Sequence, residues 1–248
     1  MVTIKSAREI DLMRKSGEIA AEALRRGGEA VKPGVTTKEI DRIMHDYVIS
    51  KHSVPAFLDY GGFPASACIS VNNEVIHGIP SDRRLNDGDI VSIDFGVLLN
   101  GYYSDTAATF CCGNVSDEAR KLVEVTKQCF YEGIAAAAAG NRLGDIGYAV
   151  ERYALKNGFS VVYDFVGHGV GTQLHEDPSV PNYGRKGKGL RLAKGMTIAV
   201  EPMINQGVAD VRELQDGWTI VTRDGKLSAH YEHTIAITDN EPLILTSL

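Results

Sequence analysis

The sequence repeats its own plan after 106 residues, and this repeat constrains the fold more than any other feature. When the chain is shifted by that distance without a gap, nine positions carry the same residue in both copies: Asp11 and Asp117, Arg14 and Arg120, Lys15 and Lys121, Glu18 and Glu124, Gly27 and Gly133, Ala30 and Ala136, Gly34 and Gly140, Ile40 and Ile146, Tyr47 and Tyr153. Shared helical composition inflates such agreement, but the matches extend over two successive helical segments. We therefore expect two halves with one plan.

Each half is predicted to begin with two helices and to continue with strands. Capping boxes mark two of the helix starts, at Ser6 with Glu9 and at Thr36 with Glu39. Helices followed by antiparallel strands, twice over, indicate an α+β fold in which two helix pairs back one curved sheet. We expect a single domain over 1–248, with halves of approximately 1–112 and 113–248. The predicted helices are 6–31, 37–51, 117–139 and 143–157, and the predicted strands are 66–72, 90–110, 159–166, 196–204 and 218–238.

The most informative segment is VSIDFGVLLNGYYSDTAATF, which runs from Val91 to Phe110. An Asn-Gly pair between two apolar runs is a strong signal for a two-residue hairpin turn, here at 100–101. This turn sets Asp94 and Asp105 diagonally on one face, about 7–8 Å apart at the backbone. Small and polar residues share that face. The opposite face is apolar and is expected to pack on helices.

Two glutamates in the second half repeat this arrangement. Glu201 follows the strand MTIAV, and Glu232 shares a strand face with Thr234 and Ala236. Any one of these acids alone is more often an edge or turn residue. Four acids on small-residue faces of successive strands cannot all stay ionised at close range without cations. The pattern therefore predicts two divalent metal ions, whose four positive charges balance four carboxylates.

Histidines in loops supply the remaining candidates. His168 lies among glycines in VGHGVG, which would let it approach an ion closely. His77 and His175 lie in Gly- or Pro-containing loops after predicted strands, where functional sites are common. A hydrogen-bonded structural role is the usual alternative for a lone histidine, and we assign it to His45 and His52.

Charge and composition exclude several classes of protein. A net charge of −6 argues against a nucleic-acid-binding domain. The four cysteines form no C-x-x-C pair and are expected to be reduced thiols. The N-terminus has no apolar core of a secretory signal, and no apolar run is long enough to span a bilayer, so we expect a cytoplasmic protein. The basic loop 185–191 is expected to be solvated, with a transient ribosome contact as the weaker alternative.

At these residues the chain resembles the bacterial type I methionine aminopeptidases. The matching segments span almost the whole chain: VNNEVIHGIP, DGDIVSIDFGVLLNGYYSDTAATF, VGHGVGTQLHEDPSVPNYG, GMTIAVEPM and SAHYEHTIAIT. The resemblance implies the two-half "pita-bread" fold of the creatinase and aminopeptidase type. The sequence has neither the N-terminal zinc-binding extension of eukaryotic type I members nor the helical insertion that marks type II members. The five metal ligands that it implies are Asp94, Asp105, His168, Glu201 and Glu232.

The resemblance also assigns roles around the ions. His77 and His175 would contact substrate and steady the carbonyl oxygen, and Glu201 would be the general base. Phe57 stands where some members have Cys, and Leu174 stands where some have Phe, which leaves the pocket shape open. The methionine pocket implied by motif position consists of Tyr60, Phe63, Cys68 and Trp218, bordered by Phe57 and Leu174.

The resulting expectation is a dinuclear metallo-aminopeptidase. It would remove the initiator methionine from nascent polypeptides whose second residue is small, as a monomer, with two ions of Co, Mn, Fe or Zn. One alternative is Xaa-Pro aminopeptidase or prolidase activity on the same fold. A second is a non-enzymatic binding module that has lost its metals, against which the five retained ligands argue.

Overall fold

The structure, a computed structural model, describes residues 2–248. Within that range the four predicted helices are present as α1 (Ala7–Ala30), α2 (Thr37–Ser50), α3 (Asp117–Ile134) and α4 (Leu143–Lys156). The bounds of α4 are those of α2 shifted by the repeat distance, since 37 + 106 = 143 and 50 + 106 = 156. No helix in the described range is long and apolar enough to cross a membrane.

The helix starts follow the predicted capping boxes, whereas one helix end does not follow the prediction. The hydroxyls of Ser6 and Thr36 each accept a hydrogen bond from a backbone N–H of the first turn. In return, the carboxylates of Glu9 and Glu39 accept a hydrogen bond from the backbone N–H of the cap residue. The prediction that α3 continues to 139 is wrong. The Ala139 N–H donates instead to the carbonyl oxygen of Thr238 at 2.9 Å, so a tertiary contact replaces the helical bonds.

Antiparallel strands make up the sheets. The strands are β1 (Val54–Pro55), β2 (Cys68–Val71), β3 (Glu74–Ile76), β4 (Ile90–Leu99), β5 (Tyr102–Cys111), β6 (Ser160–Val161), β7 (Gly167–Gly169), β8 (Glu176–Val180), β9 (Thr197–Val200), β10 (Met203–Asn205), β11 (Val211–Glu213), β12 (Ile220–Thr222), β13 (Ser228–His230), β14 (Glu232–Ala236) and β15 (Leu243–Ile244). The central sheet has the order β1-β4-β5-β14-β9-β7-β8, with β2 beside β4 and β15 beside β14. Two three-stranded sheets, β13-β10-β6 and β11-β12-β3, lie outside it.

Several strand predictions were too long. The predicted strand 66–72 is present as β2, two residues shorter at its start. Only β6 forms within 159–166, and 196–204 divides into β9 and β10. The division falls at Pro202, which has no N–H to give to a ladder. The predicted strand 218–238 contains three strands, with a turn at Gly225, whose φ is +75°, between the first two.

The hairpin of β4 and β5 has the predicted register. Asn100 and Gly101 both have positive φ, at 51° and 83°, as a two-residue hairpin turn of the I′ type requires. Asp94 lies opposite Ala107, and Gly96 lies opposite Asp105. The two aspartates are therefore diagonal neighbours on one face of the sheet.

The apolar faces of the strands pack on the helices, once in each half. Ile93 and Phe95 lie in one core with Ile40 and Met44, and Ile198 and Ile235 lie in another with Phe130 and Ile146. Equivalent glycines allow the helix pairs to approach closely. A Cβ on Gly27 would lie 2.5 Å from the Met44 sulfur, and one on Gly133 would lie 2.7 Å from a Val150 methyl. The repeat therefore extends to the packing of the helices.

Candidate metal centre and adjoining cavity

The pairing of β5 with β14, which we call the seam, joins one strand from each predicted half of the chain. Glu232 lies opposite Ala107, the residue that also faces Asp94. Threonine hydroxyls fasten this seam: the Thr106 hydroxyl donates to the Glu232 carbonyl at 2.9 Å, and the Thr234 hydroxyl donates to the Asp105 carbonyl at 2.9 Å. These bonds fix the register that brings acids of both halves together.

The four carboxylates occupy a poorly solvated environment. Burial raises the pKa of Asp94 to about 7. Burial and the neighbouring acids also raise the pKa values of Asp105 and Glu232 well above their usual range, and burial with the Asp94 charge does the same for the pKa of Glu201. Carboxylates so placed are stable as anions only beside a cation.

His168 is oriented by its own loop. Its Nδ1 lies 2.9 Å from the Gly169 carbonyl oxygen, so Nδ1 carries the proton and donates it there. The free Nε2 lies 3.7 Å from an Asp105 oxygen and 3.6 Å from Glu201 Oε1. Burial lowers the pKa of His168 to about 4, which keeps the ring neutral. The glycines on either side allow close strand packing: a Cβ on Gly167 would lie 2.3 Å from the Ala199 carbonyl oxygen.

This donor set fits divalent metal ions. Ligand atoms of Asp105, His168 and Glu232 lie within 4.8 Å of one another. Asp94 Oδ1, Asp105 Oδ1 and Glu232 Oε1 are buried without any hydrogen-bond partner. A buried polar atom without a partner is costly, so these oxygens require a cation or protons. Carboxylates with one imidazole match the ligands that transition metals of moderate softness accept.

A cavity of about 330 Å³ adjoins the acids. The cavity is lined by all thirteen residues that were predicted from the sequence as metal-binding, catalytic or substrate-binding residues. Ile76, Phe165 and Val166, which the sequence analysis missed, also line it. The acid end of the cavity consists of Asp94, Asp105, His168, Glu201 and Glu232, and Cys68 borders it because it lies opposite Asp94 in the sheet. The apolar end consists of Phe57, Tyr60, Phe63, Cys68, Ile76, Phe165, Val166, Leu174 and Trp218.

Two further histidines lie at the border of the cavity. The Tyr60 hydroxyl lies 2.8 Å from Nδ1 of His175, and the His175 ring centroid lies 4.1 Å from that of His168. His77 packs edge-on against Phe165. Burial lowers the pKa of His77 to about 4 and also lowers the pKa of His175. Both rings are therefore neutral near pH 7, and each can donate one N–H.

The structure adds two neighbours of Glu201 that sequence reasoning did not select. The Asn182 side-chain amide donates to the Glu201 carbonyl at 2.9 Å. His230 is buried with no hydrogen-bond partner on either ring nitrogen, and its Nε2 lies 3.7 Å from Glu201 Oε2. Strand alternation could have indicated His230, because it precedes Glu232 by two residues.

Buried carboxylates, an imidazole and an adjoining apolar cavity with two neutral histidines together define the site of a metal-dependent hydrolase. The sequence model of metallopeptidase family M24 matches residues 11–239. The chain belongs to this family.

Known relatives agree over the full chain. A methionine aminopeptidase of Clostridium perfringens is 55% identical over 246 residues, covering 99% of each chain. The crystal structure of a methionine aminopeptidase from Rickettsia prowazekii superposes with a TM-score of 0.98 at 45% identity, covering 99% of this chain and 100% of the other. These matches confirm the pita-bread α+β fold and the metallopeptidase class. A prolidase from Pyrococcus furiosus, at a TM-score of 0.75 and 24% identity over 99% of this chain and 65% of its own, shares the fold alone.

Proposed function

We propose that this protein removes the N-terminal methionine from peptides and newly made proteins whose second residue is small. The observation that carries the proposal is one cavity of about 330 Å³ whose lining combines acids suited to metal ions with aromatic and aliphatic side chains suited to an apolar group. Full-length relatives that are methionine aminopeptidases support the same substrate. The Xaa-Pro alternative is less favoured because the prolidase relatives share only the fold.

Two divalent ions of Co, Mn, Fe or Zn are the proposed cofactors. Asp94, Asp105, His168, Glu201 and Glu232 would hold them, because these groups offer four carboxylates and a neutral imidazole with a free Nε2. When bound, such ions lower the pKa of water and polarise a carbonyl group. The attraction of the ions would then offset the desolvation penalty of the buried, ionised acids.

Glu201 is the proposed general base. Its two oxygens face different partners, since Oε1 lies 3.6 Å from His168 and Oε2 lies 3.7 Å from His230. A carboxylate in this position can take a proton from the attacking water and return it to the leaving amine. The Asn182 amide holds the backbone of Glu201 and thereby limits the range of positions that the carboxylate reaches.

His175 and His77 are the proposed donors to the scissile carbonyl oxygen. If the Tyr60 hydroxyl donates to Nδ1 of His175, the ring proton is on Nε2, from which it can reach the substrate. A neutral imidazole N–H stabilises the negative charge that develops on the carbonyl oxygen. Because the ring is uncharged, no histidine charge has to be buried before the reaction. The low pKa values of both histidines keep them in this form.

The apolar end would bind the methionine side chain. Phe63 and Trp218 pack edge to face with ring centroids 5.1 Å apart, and Leu174 is buried beside them. Such a pocket discriminates between side chains by only about 1–3 kcal/mol per methylene group. We therefore expect slower but measurable cleavage after a shorter apolar analogue such as norvaline.

A metal-titrated peptidase assay tests the proposal. Metal-free protein should be inactive, and added Co, Mn, Fe or Zn should restore cleavage of Met-Ala-Ser. Lys-Ala-Ser and Met-Trp-Ser should be poor substrates, since the first lacks the apolar side chain and the second has a bulky second residue. Full activity without metal, or faster cleavage of Xaa-Pro peptides than of Met-Ala-Ser, would refute the proposal.

Location and partners follow from the proposed substrate. Newly made polypeptides emerge in the cytoplasm, where we propose that the protein acts as a monomer. Arg185, Lys186 and Lys188 are at least partly exposed in the basic loop 185–191, which we propose as a contact for anionic ribosomal surfaces.

A further inference from the structure

The loop between β7 and β8 carries Leu174 and His175 into the cavity but has few backbone bonds of its own. The Gly171 N–H donates to the Gln173 carbonyl at 3.0 Å, and the Gly171 carbonyl accepts from the Tyr103 N–H at 2.8 Å. Residues 172, 173 and 175 are exposed. A loop of this kind needs an anchor if its histidine is to stay within reach of a substrate.

Glu176 provides such an anchor. Its Oε1 accepts from the Gln173 N–H at 3.1 Å and from the Thr172 hydroxyl at 3.3 Å, which closes the loop on itself. Its Oε2 accepts from the Thr3 hydroxyl at 2.8 Å and from Lys5 Nζ at 2.5 Å. Burial raises the pKa of Glu176, but the bonds from Lys5, Thr3 and Gln173 outweigh burial and hold that pKa below its usual range.

Lys5 connects this anchor to the N-terminal segment. The Lys5 and Glu176 side chains are only 6% and 10% exposed, so the ion pair is buried, unlike the surface pairs of α1. Lys5 Nζ also donates to the Thr3 hydroxyl, and the Lys5 N–H donates to the Gly195 carbonyl at 2.7 Å. The segment that precedes α1 is therefore fastened at both backbone and side chain.

The close fit around the pair leaves no room for another side chain. A Cβ on Gly171 would lie 2.5 Å from Glu176 Oε1 and 2.6 Å from Lys5 Nζ. The loop backbone therefore lies directly against the ion pair. A shift of the pair would displace the loop, and with it His175.

We propose that the Lys5–Glu176 pair positions His175 for catalysis, so that the N-terminal segment is a working part of the active site. Lys5 and Glu176 are positioning residues in this proposal: they touch neither substrate nor the metal ligands and act through the loop that bears His175. The Tyr60 hydroxyl, 2.8 Å from Nδ1, also contacts this imidazole directly. The inference rests on the proposed function for its kinetic test, but its structural test is independent of turnover.

The kinetic test compares Lys5→Ala with Lys15→Ala in the metal-loaded protein. Lys15 is a matched control because it pairs with Asp11 at 2.9 Å on α1 but is half exposed. Lys5→Ala should lower kcat for Met-Ala-Ser by about 10- to 100-fold, as expected when a reacting group is misplaced by about 1 Å. The metal content and metal affinity should stay unchanged. Lys15→Ala should change kcat less than twofold, and Lys5→Arg should restore most of the lost rate.

A double-mutant cycle separates positioning from a general loss of structure. If Lys5 acts through His175, Lys5→Ala should lower kcat less than threefold in a His175→Ala background. An equal loss of kcat in both backgrounds, or loss of metal together with activity, would overturn the proposal. Glu176→Gln keeps the shape of the side chain and serves as the second variant should Lys5→Ala fail to fold. It should reproduce the same loss of kcat and the same cycle.

Ring ¹H–¹⁵N spectra provide the readout that does not depend on turnover. The His175 ring signals should shift or broaden in Lys5→Ala but not in Lys15→Ala. Unchanged His175 signals in a folded Lys5→Ala protein would overturn the positioning role. If the wild-type protein failed to cleave Met-Ala-Ser while the His175 signals still depended on Lys5, the proposed function would fail and the structural inference would stand.

Discussion

The two ends of the cavity are built in different ways. At the acid end, Asp94, Asp105 and Glu232 lie on β4, β5 and β14, three neighbouring strands whose ladder bonds fix each position. At the apolar end, Phe63 and Trp218 lie in irregular segments outside the strands. A register shift of one residue would move every side chain of a strand to the other face of the sheet, whereas loops tolerate local changes in sequence and conformation. The acid end should therefore determine whether the reaction occurs, and the apolar end should determine which side chain is accepted.

The largest expected effect is at the acid end. Asp105→Asn removes one of the proposed metal ligands, so turnover should fall by at least about 10³-fold, the upper end of what one stabilising group supplies. Metal affinity, measured by calorimetry, should fall with it. The metal-free variant should melt higher than metal-free wild type, by about 2–4 °C for each kcal/mol of repulsion removed. Asp11→Asn, at an exposed helix position, is the control. Retained metal affinity in Asp105→Asn would show that the acid end does not bind the ions as proposed.

The second effect concerns the border between the two ends. His175→Ala should lower kcat by about 10²–10³-fold, the usual cost of losing one donor to a developing oxyanion. Metal content should stay at the wild-type value, because His175 lies beside His168 without being one of the proposed ligands. Steady-state kinetics with elemental analysis checks both points. If the variant lost metal as well as rate, His175 would have to be counted among the metal-binding residues of the acid end.

The third effect is confined to the apolar end. Phe63→Leu replaces one wall of the pocket and removes the edge contact with Trp218. The preference for Met-Ala-Ser over its norvaline analogue, whose side chain is one heavy atom shorter, should therefore fall by about 10-fold, within the range of about 1–3 kcal/mol per methylene group of apolar pockets. The change should appear in the ratio of kcat/KM values, with metal affinity unchanged. Equal losses for both substrates would mean that Phe63 supports the fold and does not select the side chain.

The smallest effect on catalysis is expected outside the cavity. Reversing two charges in the basic loop, with Lys186→Glu and Lys188→Glu, should change peptide cleavage less than twofold, because neither residue lines the cavity. Co-sedimentation with ribosomes at low salt should weaken, since exposed charges act mainly through long-range attraction that salt screens. Unchanged co-sedimentation would remove the proposed ribosome contact and leave the proposed activity intact.

The parts of the fold that the sequence predicted depend on short-range rules. The hairpin register followed from an Asn-Gly turn, and the bounds of α2 and α4 followed from caps and the repeat. The parts that it missed depend on distant contacts. After the strand break at Pro202, β10 pairs with β13 in a separate sheet, and α3 ends at Ile134, before the Ala139 N–H bonds to Thr238. The division into halves at 112 and 113 stays a prediction.

The candidate site divides along the same line. All thirteen residues selected from the sequence line one cavity, although their catalytic roles stay proposals. The four acids were selected by strand alternation and charge, the three histidines by their positions in loops after predicted strands, and the six pocket residues by motif resemblance. Phe165 was missed because no local pattern separates it from an ordinary core residue, and His230 was missed although its spacing of two residues from Glu232 was a usable signal. Their place in the site is known only from tertiary contacts, which are that of Phe165 with His77 and that of His230 with Glu201.

The sequence by itself determined which acids share a strand face and how the first hairpin is registered, because side-chain alternation and a turn that requires positive φ act over a few residues. Tertiary structure alone decided that β5 pairs with β14, which brings Asp105 and Glu232 together across the seam. It also decided that Lys5 reaches Glu176 across 171 positions of the chain. Such contacts arise when whole elements pack to bury apolar surface, and the free energy of that packing is a property of the assembled core.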